Sequence, residues 1–308
     1  MTFLQTLEGI RSPILTALMT AISLIGTPFA ILGIMEWFYL NVSKTTGYLM
    51  FTSYHLTCLL GQGIKVIVHE ARPWIQYPTK LHPIDEAMFM APGYSFPSLH
   101  TANTCTYGVS RFMTSGRKAT KAAMIAFMAL VAFSRMYLGS HYPQDVLWGF
   151  LIAAGITIPV VLLGEKKAGS RNDGVMFFFL MAFGGLLLFL SIFLLASKDI
   201  DFPHSKDCFM TAGCVFGFAL GAIGERSHLH FIAEDGSKGA KLLRFLIAVG
   251  GALACIALFH LVVRDAESAL SMFFVMLEYA LVVFWMTYIA PLLSMHMGLM
   301  HSGPSGHR

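Results

Sequence analysis

Long apolar runs separated by short polar loops recur along the whole chain, and their lengths predict membrane-crossing helices. A hydrocarbon core takes about 20 helical residues to cross. Runs of this kind fall at 47–69, 98–114, 119–139, 143–164, 174–196, 208–224, 241–263 and 270–294. Residues 12–41 are equally apolar but interrupted at Gly26-Thr27-Pro28, so one kinked span, or an interfacial helix followed by a span, are both open. Counting that region once gives nine spans. Helices are expected because backbone polar groups in lipid must be satisfied within the segment, and these segments are too long and too uniformly apolar for barrel strands. The fold class expected is all-α, a polytopic membrane helix bundle forming one integral membrane domain with no soluble module.

Composition agrees: 56% of the 308 residues are hydrophobic and 12% charged, which excludes an ordinary soluble globular protein. The net charge of +4 matters less than its distribution. Lys44, then Arg111, Arg117, Lys118 and Lys121, then Lys166, Lys167 and Arg171, then Arg226, Lys238, Lys241 and Arg244 all fall on one side of the predicted bundle. The positive-inside rule makes that side the cytoplasm and places loops 70–97, 197–207 and 264–269 outside. The first ten residues lack Lys and Arg before Arg11 and carry Glu8, a poor signal peptide, so the start is expected to be retained. The five cysteines show no zinc-like spacing and read as packing thiols.

Three short stretches map to the outer side. In "KVIVHEARP", Lys65 and Arg72 are seven residues apart, which on a continuous helix puts them on one face before Pro73 stops it. In "PSLHT", Pro97 and Ser98 open the next span and His100 lies in its first turn. In "SRMYLGSHYPQD", Ser134 and Arg135 end one span, while His141 to Asp145 begin another around Pro143. A cation buried at mid-membrane costs about 2.5–3.5 kcal/mol, and less near the interface. Three cations at one surface therefore ask for an anion. A helix start supplies free N–H groups and a positive dipole end, with Ser98 as N-cap and donor. Asp145 can hold one nitrogen of His141 and leave the other free for attack.

These stretches resemble the type 2 phosphatidic acid phosphatase superfamily, which includes lipid phosphate phosphatases, undecaprenyl pyrophosphate phosphatases and glucose-6-phosphatases. The family pattern is Lys, six residues, Arg-Pro; then Pro-Ser-Gly-His; then Ser-Arg, five residues, His, three residues, Asp. Lys65 to Pro73 and Ser134 to Asp145 fit fully, whereas Leu99 stands where the family has Gly. The resemblance implies a core at 1–170 with a C-terminal transmembrane extension at 171–308, and the expected span count is similar to the glucose-6-phosphatase architecture. It implies that His141 attacks phosphorus, that Asp145 orients it, and that His100 protonates the leaving oxygen. Lys65, Arg72, Ser98, Ser134, Arg135 and the Leu99 N–H would hold the phosphoryl oxygens. Neither metal nor other cofactor is implied, and no nucleic-acid partner. The expected substrate is a phosphorylated lipid or polyprenyl diphosphate met at the outer face of a cell membrane, or in the ER lumen if the source is eukaryotic.

A sugar-phosphate phosphatase and a lipid phosphotransferase use the same chemistry. A transporter is disfavoured because the charges cluster near one surface rather than at the midplane. A catalytically silent homologue is motivated by Leu99 alone, since Gly admits a close approach of backbone and phosphate. The tail Pro304–His307 repeats the Pro-Ser-Gly-His string but has no following helix and lies on the cytoplasmic side, so it reads as coincidence. His55, His69 and His82 read as structural groups, Gly213, Gly217 and Gly221 as a helix-packing face, and "GERSHLHF" at 224–231 as a solvated helix end. Trp74, Tyr77, Met88, Phe89, Met90, Tyr94 and Phe96 make the loop 74–97 aromatic, suited either to an interfacial anchor or to a lid over a lipid tail.

Overall fold

The computed structural model describes residues 2–82, 84, 93–166, 173–262 and 268–303. The described residues fold as two compact units, Met1–Leu32 with Leu56–Leu162, and Gly33–His55 with Leu163–Arg308. The helices in chain order are α1 (Thr2–Gly9), α2 (Pro13–Ile25), α3 (Pro28–Asn41), α4 (Lys44–Val68), α5 (Pro73–Gln76), α6 (Leu99–Thr114), α7 (Lys118–Tyr137) and α8 (Pro143–Lys166). They continue with α9 (Asp173–Ala196), α10 (Phe202–Gly224), α11 (Lys238–Val262), α12 (Ala269–Phe284) and α13 (Ala290–His296).

Among the described residues six helical segments are long and apolar enough to cross a membrane, and α2 with α3, bent by 51° at their break, make a seventh if taken as one span. That is fewer than the nine expected, and the difference lies in α4 and α6. Both helices form where the sequence places them, but α6 has only 16 residues and both carry polar side chains where a lipid-facing helix would be apolar. Those side chains are spent inside the protein. Thr57, Thr101, Asn103, Thr104, Thr106 and Ser110 are all buried, Thr106 Oγ1 donates to Thr57 Oγ1 at 3.3 Å and Cys58 Sγ to Asn103 Oδ1 at 3.3 Å. Such interhelical hydrogen bonds are how polar residues are tolerated within a membrane bundle.

In the first unit α6 packs against α7, and α1 and α2 also lie against α7. Local chemistry fixes the ends. Ser12 caps α2, with Pro13 as its first residue, and Ser98 caps α6 by accepting from the Thr101 N–H. Helix α7 ends in a Schellman motif: Gly139, at φ +77°, is the left-handed residue, its N–H reaches the Met136 carbonyl at 3.0 Å, and the Ser140 N–H reaches the Arg135 carbonyl at 3.0 Å. The chain is thereby turned into His141 and on to α8.

In the second unit α10 packs between α9 and α12. A Cβ added at Gly213 or Gly217 would sit 2.2 Å from the carbonyl oxygens of Met276 and Ala280, so the small-residue face is the α10–α12 contact. Both helices run into a π-helical turn, Glu225–Leu229 and Trp285–Ile289. The reading of 224–231 as a solvated end is corrected here, because Glu225 is fully buried. Its carboxylate accepts from Lys44 Nζ at 2.9 Å and from Tyr48 Oη at 2.6 Å, and Arg226 stacks over the Tyr48 ring. A buried carboxylate needs such partners. His55 Nδ1–H donates to the Phe51 carbonyl, 2.7 Å away, and its ring stacks on Phe218. The segment Pro304–His307 lies outside the described residues.

Candidate active site

All the motif residues belong to the first unit. Lys65 sits in the last turn of α4, but Arg72 does not continue that helix. His69 adopts φ +55°, and Arg72 is extended (φ −61°, ψ 153°), as the residue before a proline prefers. The shared-face expectation for Lys65 and Arg72 is therefore corrected: the two cations reach one place from a helix end and from an extended linker.

Arg72 is buried, with its guanidinium spread over several groups. Nε donates to the Gly93 carbonyl at 2.8 Å, and Nη1 to the Ser140 carbonyl at 2.9 Å and to His141 Nε2 at 2.8 Å. His141 Nδ1 faces Asp145 Oδ2 at 3.2 Å. Arg72 Nη1 lies closer to Nε2 (2.8 Å) than to Nδ1 (3.2 Å), and a carboxylate only accepts, so the arrangement fits the tautomer with the proton on Nδ1 toward Asp145 and the lone pair on Nε2. Burial first, then the charges of Arg72, Arg135, Lys65 and His100, hold His141 well below the ordinary histidine pKa. This favours the neutral imidazole, whose Nε2 meets Arg72 Nη1.

Asp145 is buried in the first turn of α8. Oδ2 also accepts from the Tyr142 N–H at 2.9 Å and the Ser95 hydroxyl at 2.5 Å, and the Asp145 carbonyl accepts from the Ser98 N–H at 3.0 Å. The last bond ties the second motif to the third. Lys65 Nζ donates to the Tyr94 carbonyl and, at 3.4 Å, to that of Ser95. Arg135 is fully buried, with Nη1 on Ser23 Oγ at 2.6 Å, while Nε and Nη2 have no acceptor. His100 Nε2 and the Ser140 hydroxyl are likewise buried without partners. Orphaned donors on a buried guanidinium are costly and mark a place for an anion.

Two expected ligands behave differently. Ser134 Oγ donates back to the Val131 carbonyl at 2.7 Å, so its hydrogen is used within α7. Leu99 lays its side chain against Gly61: a Cβ there would lie 2.5 Å from Leu99 Cδ2, and Leu99 packs on Ala102, Cys105 and Ala153. The absence of a side chain at Gly61 provides the room. Sequence reasoning passed over Ser95, Ser140 and Ser23, since only the fold brings Ser23 of α2 to Arg135. Of the loop aromatics, Trp74 lies beneath the Arg72 guanidinium, 5.9 Å away, and Phe96 stands edge-on to Trp148. Met88, Phe89 and Met90 lie outside the described residues.

Residues 46–168 match the PAP2 superfamily, and residues 209–302 match the region described as "PAP2 superfamily phosphatase, transmembrane extension". An undecaprenyl-diphosphatase of Sulfolobus acidocaldarius is 29% identical over 119 residues, covering 37% of this chain and 53% of the relative. A phosphatidylglycerophosphatase B of Bacillus subtilis is 30% identical over 179 residues, covering 53% of this chain and 82% of the relative. The chain thus spans about half the length of the archaeal relative and most of the bacterial one. No solved structure matches significantly. With both regions and a relative aligned over most of its length, the chain belongs to the PAP2 superfamily of phosphatases.

Proposed function

We propose that this protein is a metal-independent membrane phosphatase that hydrolyses a lipid phosphate or polyprenyl diphosphate at the outer face of the membrane through a phosphohistidine. The observation that carries the reading is His141, with Nδ1 at Asp145 and Nε2 at the buried Arg72. An entering phosphoryl group takes Arg72 off the imidazole and supplies the acceptor that Arg135 Nε and Nη2 lack. Nε2 attacks phosphorus as the bond to the leaving oxygen breaks, and His100 gives that oxygen its proton. Lys65, Arg72 and Arg135, with the N–H groups that open α6, balance the charge on the equatorial oxygens. Water then gives a proton to His100, its oxygen bonds to phosphorus, the P–N bond breaks, and inorganic phosphate leaves.

A lipid substrate is supported by the names of the two relatives, one a polyprenyl diphosphatase and the other a phosphatidylglycerophosphatase. The outer face is supported by the loop charges. The test is phosphate release by purified protein in EDTA, offered undecaprenyl diphosphate, phosphatidylglycerol phosphate, phosphatidic acid and glucose 6-phosphate. Release from a lipid that persists in EDTA and is absent from His141→Ala, with an acid-labile phosphoenzyme formed only by the parent protein, is expected. Dependence on added metal, or an equal phosphoenzyme yield in His141→Ala, overturns the mechanism.

A further inference from the structure

Ser95 is fully buried and lies outside the residues that motif spacing singles out. Each of its polar groups is engaged by a different part of the site. The N–H donates to the Glu70 carbonyl at 2.7 Å, the carbonyl accepts from Lys65 Nζ at 3.4 Å, and the hydroxyl donates to Asp145 Oδ2 at 2.5 Å. We propose that Ser95 is a positioning residue for His141, its hydroxyl holding the Asp145 carboxylate on the imidazole Nδ1 so that Nε2 keeps the attacking lone pair. This rests on the phosphohistidine reading above.

The physical problem is competition. Asp145 is a carboxylate among cations, and both Lys65 and Arg72 are near enough to act on its charge. Charge-assisted pairing with either is strong. A carboxylate that swung onto one of them would leave His141 without its orienter and disable a phosphate ligand in the same movement. All three donors that reach the carboxylate, from Ser95, Tyr142 and His141, converge on Oδ2, while the buried Oδ1 has no partner. The Tyr142 amide and His141 are neighbours in α8 and its entry, so they move with Asp145. Ser95 is the donor that comes from another part of the chain, and its own backbone is pinned by Glu70 and Lys65. It therefore fixes the carboxylate against the rest of the site.

A hydrogen bond to a charged acceptor is worth enough that its loss predicts a fall of about 10- to 100-fold. Ser95→Ala, and Ser95→Cys as a variant of similar size with a weak donor, are expected to lower kcat by that factor with KM little changed. In an Asp145→Asn background the same substitutions should cost nothing further, because their effect passes through the carboxylate. Histidine nitrogen NMR of labelled protein, with His141→Gln for assignment, should show the Nδ1–H tautomer in the parent and a tautomer mixture in Ser95→Ala. An undiminished loss in the Asp145→Asn background, a change in KM alone, or unchanged kcat overturns the proposal. If His141→Ala keeps full activity, the phosphohistidine reading fails, and the tautomer decides Ser95 by itself: a ring that stays Nδ1–H in Ser95→Ala sinks the positioning role.

Discussion

Leu99 illustrates how a departure from a family motif can be absorbed by a residue elsewhere. The family glycine lets backbone approach phosphate, but the first turn of a helix needs no positive φ, so a leucine there keeps its N–H provided the side chain has somewhere to go. Gly61 is that place. Leu99→Gly is accordingly expected to leave turnover unchanged while lowering stability by about 2 kcal/mol through the lost packing; thermal melting beside a phosphate-release assay reads both. A rise in kcat of tenfold or more would show instead that the leucine crowds the site. His141 supports a second prediction at this scale. The proposed attack needs the neutral ring, and burial with the surrounding cations pulls its pKa down from the usual value. The rate of phosphoenzyme formation should therefore be full above that lowered pKa and lost below it, with the acid limb lying under the ordinary histidine value of about 6.5. Rapid-quench measurements across pH locate the limb, and one at or above the ordinary value contradicts the geometry.

At the scale of elements, the site depends on how helices end. Gly139 closes α7 with φ +77°, and two residues later comes His141. Gly139→Ala is expected to cost about 1–2 kcal/mol, the usual penalty for the left-handed region in a residue with a Cβ, and to lower kcat because the Schellman turn sets the entry to α8. Gly139→Asn, which tolerates that conformation, should recover most of both losses; equal damage from Ala and Asn would assign the effect to crowding near Arg11 rather than to the backbone. Elements of this kind are also where the sequence was easiest and hardest to read. Hydrophobic runs placed the long helices, and Ser98 and Pro143 announced where α6 and α8 begin, because capping is local chemistry. The Lys65–Arg72 spacing misled because a period of seven residues assumes a continuous helix, and the helix stops at Val68 before the left-handed His69. The burial of Glu225 was invisible for a different reason: its partners Lys44 and Tyr48 lie far away along the chain. Ser95 and Ser23 were missed on the same ground, as isolated serines carry no pattern until the fold gives them a carboxylate and a guanidinium.

At the scale of the whole molecule, the question that the chemistry depends on is which side of the membrane the substrate comes from. The proposed outer face rests on the distribution of basic residues: the clusters around Lys44, Arg117, Lys166 and Lys238 recur on one side of the predicted crossings. That regularity requires α4 and α6 each to carry the chain across the membrane, and both connect loops of opposite charge character. The loop holding Lys80 belongs to the sparsely basic side, and the turn holding Glu234 to the basic one. Both residues are exposed, and the native cysteines all lie within helices. Lys80→Cys should react with a membrane-impermeant maleimide in intact cells, and Glu234→Cys only after permeabilisation. The reverse pattern would put His141 at the cytoplasmic surface and turn the enzyme toward substrates made on that side, whereas the expected pattern means that the proposed lipid substrate, where it is made inside, must cross the bilayer before hydrolysis.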